Sequence, residues 1–230
     1  MKPKLLETGA PPYIAVVFSF RLRDVDLSED YRRSGLLMDR AMRLPGFYGE
    51  EAIRLEDRNG LTVSYWRSLE DLKEWQDDTE HKATGRLGIA NWYQQYDLRV
   101  VEIKRSYGHD RAPQEVAAAS ANHNDGPIAV IFSSLRTEGD DESYGQAAEE
   151  MAELASAQEG FVDLVSLRRE DRFGITVSIW RDIATATTWR ANPRHLAIQK
   201  KGRDRWYEDY WVRVGRVLRQ KNFHGDVNLV

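Results

Sequence analysis

Two histidines stand at matched places in the chain, His81 and His195, each six residues after a tryptophan, Trp75 and Trp189. An imidazole titrates near neutral pH, so either could take a proton from a phenol or shuttle one from water. A histidine at a helix start can equally bond backbone and support packing. His109, His123 and His224 lie elsewhere, in a polar stretch and the tail. Trp66, Trp75, Trp92, Tyr93 and Tyr96 form an aromatic set around His81, repeated as Trp180, Trp189, Trp206, Tyr207 and Tyr210. Such a set could line a flat apolar pocket, with indole and phenol groups as hydrogen-bond donors, or could be core. Arg99 and Arg213 each follow one of these tyrosines by three residues. An inward-pointing guanidinium there could stabilise an enolate or bind a carboxylate, or could pair with Asp57 or Glu80. Ser19, Thr62 and Ser64 offer hydroxyls.

Other chemistries lack their residues. The chain contains no cysteine, which removes disulfides, thiolate nucleophiles, iron–sulfur clusters and Cys-based zinc sites together. One histidine per repeat, with no His-x-x-x-His or His-Glu-x-x-His pattern, does not supply a zinc ligand set, so no metal is expected. Gly-x-Ser-x-Gly, Gly-x-Gly-x-x-Gly and P-loop patterns are absent. Lys plus Arg number 33 and Asp plus Glu 37, for a net charge of -4 without a basic tract, which argues against nucleic acid as a partner. No apolar run approaches the roughly 20 residues needed to span a bilayer, and Met1 to Ala10 has no apolar signal core. The expectation is a cytoplasmic protein of ordinary globular composition, 41% hydrophobic and 30% charged.

The matched residues belong to a tandem duplication. Ile14-Ala15-Val16-Val17-Phe18-Ser19 returns as Ile128-Ala129-Val130-Ile131-Phe132-Ser133, 114 residues later. The same offset links Gly46-Phe47 to Gly160-Phe161, Thr62-Val63-Ser64 to Thr176-Val177-Ser178, Trp66 to Trp180, and Trp92-Tyr93 to Trp206-Tyr207. Tyr31 and Tyr144 stand one residue out of this register, so an indel flanks the first helix.

Each repeat must position these residues with a small α+β unit. Tyr13 to Leu22 reads as a strand and Asp30 to Leu44 as a helix stopped by Pro45-Gly46. Phe47 to Glu56 and Leu61 to Trp66 read as strands joined around Asp57-Arg58-Asn59-Gly60, where Asn-Gly is a hairpin signal that Phe173-Gly174 lacks. Ser68 caps a helix carrying Leu69, Leu72 and Trp75, with Asp71 at the capping-box position. A second helical stretch runs from about Glu80 to Trp92, and Tyr96 to Lys104 closes the unit. The order β-α-β-β-α-β is ferredoxin-like. The expected domains are residues 13–107 and 127–221, with 108–126 as a polar linker. Val63 and Tyr65 point to one face of the sheet and Thr62, Ser64 and Trp66 to the other, and both faces need cover. The expected architecture is therefore two ferredoxin-like units packed sheet to sheet as a pseudo-dimeric α+β barrel.

Strand 1, Gly46-Phe47, Thr62-Val63-Ser64-Tyr65-Trp66, Trp75 with Glu80-His81, and Trp92-Tyr93 with Tyr96 and Arg99 resemble the antibiotic biosynthesis monooxygenase (ABM) domain, of the dimeric α+β-barrel superfamily. The resemblance covers nearly all of both repeats. A small bacterial single-domain branch is most similar, with Glu-His after the helical Trp and a Gly-Arg-x-x-Trp-Tyr helix. The chain departs from it at Gly85, where the branch has the Gln kept as Gln199. It also departs at Arg194, opposite Glu80, and at Ile179, opposite Tyr65.

The resemblance implies a cofactor-independent monooxygenase acting on an aromatic, polyketide-like small molecule and dioxygen, with neither flavin nor metal. In that reading His81 is the base, Arg99 the anion stabiliser, and Tyr65 a catalytic hydroxyl beside it. Trp66, Ser64, Trp92 and Tyr96 bind substrate. Repeat 1 is expected to be the active half, because Glu80 beside His81 would raise its pKa whereas Arg194 would lower that of His195. Asn192-Pro193 would re-aim His195. The alternatives are a non-catalytic small-molecule-binding barrel, or a haem-binding or haem-degrading protein. Haem-degrading relatives carry their ligand His about one turn later, near Gly85 and Gln199, and an Asn where Phe20 and Ser134 stand. The repeats would form a pseudo-dimer within one chain, and a further homodimer is compatible.

Overall fold

The alternating segment Tyr13–Leu22 forms strand β1 with those bounds. A computed structural model describes residues 4–116 and 126–225. In it the even-numbered side chains of β1 (Ile14, Val16, Phe18 and Phe20) join apolar clusters with the helices, as strand alternation requires. The first repeat continues with α1 (Ser28–Ala41), β2 (Phe47–Arg54), β3 (Asn59–Trp66), α2 (Leu69–Asp77) and α3 (Thr79–Leu87). A single π-helical turn, Gly88–Trp92, then leads into β4 (Tyr93–Gly108). The strands lie in the order β2-β3-β1-β4, the ferredoxin-like arrangement. β1 and β2 both run antiparallel to β3, with Val17 opposite Val63.

The second repeat follows the same plan. Its elements are β6 (Ile128–Arg136), α4 (Asp141–Ser156), β7 (Phe161–Arg168), β8 (Phe173–Trp180), α5 (Ile183–Arg190), α6 (Pro193–Lys201), a π-helical turn Gly202–Trp206, and β9 (Tyr207–His224). The strand order is β9-β6-β8-β7, and Ile131 stands opposite Val177 as Val17 stands opposite Val63. Ser68 caps α2 by accepting from Asp71 N at 3.2 Å, and Asp182 with Thr185 forms a full capping box on α5.

The compact units differ from the repeats at their margins. One contains Leu6–Glu102 and takes in the chain from Leu218; the other contains Ile103–Val217. In the first unit Leu218 packs on the core of Ile14, Trp66 and Val100, Phe223 stacks on Tyr96, and Gly225 N donates to Gln94 O at 2.8 Å. In the second unit the end of β4 and β5 (Arg111–Glu115) pair as a hairpin, and Arg111 bonds Asp209 at 2.5 Å. The head of the expected linker is therefore strand, held by Asp209 and by Tyr210, whose carbonyl accepts from His109 N. Its residues 117–125, His123 among them, lie outside the described residues.

The β2–β3 turn differs from the expected one. β3 begins at Asn59, so Asn59-Gly60 is strand and the turn is Leu55–Arg58, with Arg58 at φ 70° and Asp57 accepting from Asn59 N. The second repeat turns identically, with Arg172 at φ 69° and Asp171 accepting from Phe173 N, so its lack of Asn-Gly costs it nothing. Gly60 serves packing instead: a Cβ there would sit 2.1 Å from the ring of Phe20. We expect Gly60→Ala to destabilise by about 1–3 kcal/mol through forced displacement of that ring, measurable as a lower urea midpoint.

The sheet face turned away from the helices is buried in both units. Ile53, Leu61, Val63 and Tyr65 in the first, and Ile131, Ile175 and Val177 in the second, have no exposed surface. Phe18 and Phe132, on the helix-covered face, are half-buried.

Candidate functional site

His81 opens α3 and Trp75 closes on it from α2, their rings 4.7 Å apart. Trp75 stacks on Trp66 at 6.0 Å, and Trp66 meets Phe47 at 4.8 Å. The second repeat builds the same column from His195, Trp189, Trp180 and Phe161, with His195 4.4 Å from Trp189. Asn192 caps α6 as expected, accepting from Arg194 N and His195 N, and the His195 ring lies flatter on its tryptophan, at 17° against 35° for His81. His195 Nδ1 donates to Trp189 O at 3.1 Å and Nε2 accepts from Gln199 at 3.2 Å, an assignment that fixes the tautomer. The expected charge partners do not reach these rings. Glu80 faces Arg33, and Arg194 is held by Glu150 at 2.5 Å. Burial is the main influence on both imidazoles and pushes both pKa values down; Asp78 and the backbone at Gln76 act against it at His81.

Tyr65 and Arg99 lie on the opposite face of the sheet. Tyr65 OH donates to Glu51 at 2.8 Å, with both groups buried. Arg99, 5% exposed, pairs with Asp97 at 3.1 Å rather than with Asp57 or Glu80. The three expected catalytic residues are thus not brought together, since strand alternation places a β-sheet between His81 and the other two. The four expected binding residues do share a face. Ser64 accepts from Trp66 Nε1 at 3.1 Å, and Trp92 and Tyr96 belong to the cluster of Phe20 and Leu22, packed by Leu27 ahead of α1, Leu87 of α3 and Ile89 of the π turn.

On this helix-covered face stands a residue that the sequence reading did not single out. Glu50 lies directly opposite Ser64 in the β2–β3 register, which puts the two side chains side by side. It is exposed at the surface and yet crowded by protein, with Arg54 and Tyr93 near enough to act on it. Burial raises its pKa to about 7, with Arg54 acting in the opposite direction. Arg54, two positions further along the same face, bonds the buried carboxylate Asp30 and reaches Ser34 at 3.3 Å. Its guanidinium lies over Tyr31 and Phe20, at 5.0 and 5.4 Å. Tyr93 packs edge-on to Phe18 at 5.3 Å and lies 5.9 Å from Tyr96; burial pushes its pKa up, so it keeps its proton. A Cβ on Gly88 would come 2.4 Å from the Tyr93 ring, so the glycine that opens the π turn makes room for that phenol. A cavity of about 210 Å³ beside the β2–β3 turn, lined by Leu22, Leu27, Tyr31 and Arg54 among others, adjoins this group. A carboxyl poised near neutrality beside a protonated phenol, a salt-bridged arginine and aromatic walls can accept a proton from a weakly acidic ring compound.

The second repeat keeps part of this constellation. Arg168, Tyr207, Tyr210 and Phe132 stand where the first has Arg54, Tyr93, Tyr96 and Phe18, but Leu164 replaces Glu50 and Ser134 replaces Phe20. Arg168 fills the vacated space, bonding Ser134 Oγ at 3.0 Å and Tyr144 OH at 2.7 Å. Among the described residues no three His, Asp or Glu side chains cluster as a metal site.

Residues 127–201, from β6 through α6, match the family described as antibiotic biosynthesis monooxygenase. The uncharacterized protein YqjZ of Bacillus subtilis is 46% identical over 100 residues, spanning 44% of this chain and 87% of its own length. The chain belongs to the antibiotic biosynthesis monooxygenase family. Jasmonate monooxygenase ABM of Pyricularia oryzae is 32% identical over 92 residues, 39% of this chain and 43% of that protein. A crystal structure of aldoxime dehydratase (OxdRE) in complex with butyraldoxime covers 91% of this chain and 81% of its own with a TM-score of 0.53; at 10% identity this is a likeness of fold alone. ABM membership supports a monooxygenase-type function on a small molecule. No helix among the described residues is long and apolar enough to cross a membrane.

Proposed function

We propose that this ABM protein is a cofactor-independent monooxygenase of an electron-rich aromatic, polyketide-like small molecule, and that turnover takes place in the first-repeat cleft. The observation that carries the reading is the grouping on the helix-covered sheet face of Glu50 with Ser64, Arg54 and Tyr93, in which the Glu50 carboxyl is pushed up to about 7. The base is accordingly Glu50 in place of His81, whose ring is taken up by the Trp75 stack. Tyr96 and Ser64 remain substrate contacts, Ser64 as the cross-strand neighbour of Glu50.

With an anthrone as substrate, Glu50 removes a proton from the ring CH₂ group. The resulting carbanion passes an electron to dioxygen, and the radical pair combines into a C–O bond. Protonation gives a hydroperoxide, and loss of the second C–H proton with cleavage of the O–O bond releases water and leaves a ketone. One dioxygen, four electrons from the CH₂ group and two protons thereby balance as one carbonyl and one water. Tyr93, protonated through its burial, serves as donor to the peroxy anion.

The test is oxygen uptake with 1,8-dihydroxyanthrone. The expected result is one dioxygen consumed per anthraquinone formed, without hydrogen peroxide, well above spontaneous autoxidation. A rate equal to the protein-free control across a panel of such substrates would remove the catalytic reading.

A further inference from the structure

The matched arginines of the two repeats have different partners. In the first, Arg54 faces two carboxyl groups, Asp30 and Glu50. In the second, Arg168 makes hydrogen bonds to Arg172 O at 2.5 Å, Ser134 Oγ at 3.0 Å and Tyr144 OH at 2.7 Å, and no carboxylate among the described residues pairs with it. Two more cations stand close by. Arg136 also lies over the Tyr144 ring, at 3.9 Å, and Lys201 lies over Trp206 at 4.5 Å with its Nζ on Ser143. The acids nearby are Asp141, whose side chain is 75% exposed and which bonds Arg136, Asp140, which accepts from Trp206 Nε1, and, beside Tyr210, Asp110 and the Asp209 that Arg111 holds.

Exposed and aromatic residues stand on the same face. Ser166, in mid-strand on the helix-covered face, is exposed and bonds Thr176 Oγ1 at 2.7 Å. Phe132 packs edge-on to Tyr207 at 5.1 Å and lies 6.0 Å from Tyr210, whose ring stacks on His109 at 5.9 Å. Leu164 has taken away the carboxyl that would repel an anion, and Gly174 gives the Arg168 guanidinium its place, since a Cβ there would lie 2.4 Å from it.

We propose that the second-repeat cleft is a separate binding site for an aromatic carboxylate, with Arg168 holding the carboxylate and Phe132 and Tyr210 packing on the ring. A guanidinium without a counter-ion, in a partly desolvated aromatic cleft, discriminates strongly for a planar anion over its neutral analogue. The site is non-catalytic, because the carboxyl base of the other repeat is missing. The proposal stands apart from turnover in the first repeat and is tested without it.

The experiment is calorimetric titration of the full chain with 2-naphthoate. One site per chain is expected, with 2-naphthamide binding at least about tenfold more weakly. Arg168→Gln should weaken naphthoate by about tenfold or more, and Glu50→Gln should leave its affinity unchanged. Leu164→Glu, which restores the acidic arrangement of the first repeat, should weaken it as well and decides the matter if Arg168→Gln does not fold. Equal binding of the amide, wild-type affinity in folded Arg168→Gln or in Leu164→Glu, loss of binding in Glu50→Gln, or no saturable binding at millimolar naphthoate would each overturn the proposal.

Discussion

Glu50→Gln should lower kcat for anthrone oxidation by about 10²- to 10⁴-fold, the usual contribution of a positioned base. The amide keeps the size and hydrogen-bonding capacity of the side chain but cannot take the proton. In the wild type the rate should rise with pH to a plateau above about 7, where burial has placed the pKa of Glu50. The residual rate of the variant should lack that limb. Folding stability moves in the opposite direction. A carboxyl raised from 4.5 to about 7 favours the folded state when protonated. That contribution is fully present below 4.5 and fades as pH rises through about 7. The melting temperature of Glu50→Gln relative to wild type should therefore climb between pH 5 and pH 8. A variant with wild-type turnover, or a melting difference that falls over this range, would place the base elsewhere.

Trp66→Ala should destabilise the protein by about 3–5 kcal/mol, the common cost of removing a buried aromatic ring. Trp66 is 1% exposed and stands between Phe47 and Trp75 in the column that ends at His81. Its loss leaves a cavity against Ile14, Leu72 and Val100 and withdraws the donor from Ser64. His81→Ala, at the half-buried end of the column, should cost much less. Urea denaturation followed by circular dichroism separates the two. Equal midpoints for both variants would mean that the column contributes through His81 rather than through its buried indole.

The duplication, the element order and the faces of β3 were legible because they depend on local periodicity and on repeated spacing. The ends of the elements were less so. The Asn59-Gly60 pair looked like a turn, yet Gly60 is a strand residue needed beneath Phe20, and close packing of a ring from another strand leaves no mark in a local window. The candidate site was legible as a set of residue types but not as a grouping. His81, Tyr65 and Arg99 share a repeat but occupy two faces of one sheet. Parity alone separates Tyr65 from Trp66, whereas the side on which a helix histidine falls is set by packing. Glu50 could have been found by the same parity: with Arg54 it lies on the face opposite that of Ile53, and a carboxyl on a helix-covered sheet face is out of place. Its replacement by Leu164 shows that the position tolerates an apolar residue. The partners of His81 and His195 could not be read from their sequence neighbours, since Glu80 and Arg194 turn outward to Arg33 and Glu150.

The exchanged strand ends set the order in which the protein can mature on the ribosome. The first repeat emerges early, but its core lacks Leu218, Asp97 lacks Gln220, and Tyr96 lacks Phe223 until the whole second repeat has been translated. The nascent first half must wait with one edge of its sheet unfinished, in the state most open to chaperones and to mispairing. The second unit meets no such delay, because the arm it needs, from Ile103 to Glu115, is already outside when its own strands appear. The half synthesised first is therefore the half completed last, and slow translation or truncation near the C-terminus should harm the cleft that carries Glu50 before the one that carries Arg168.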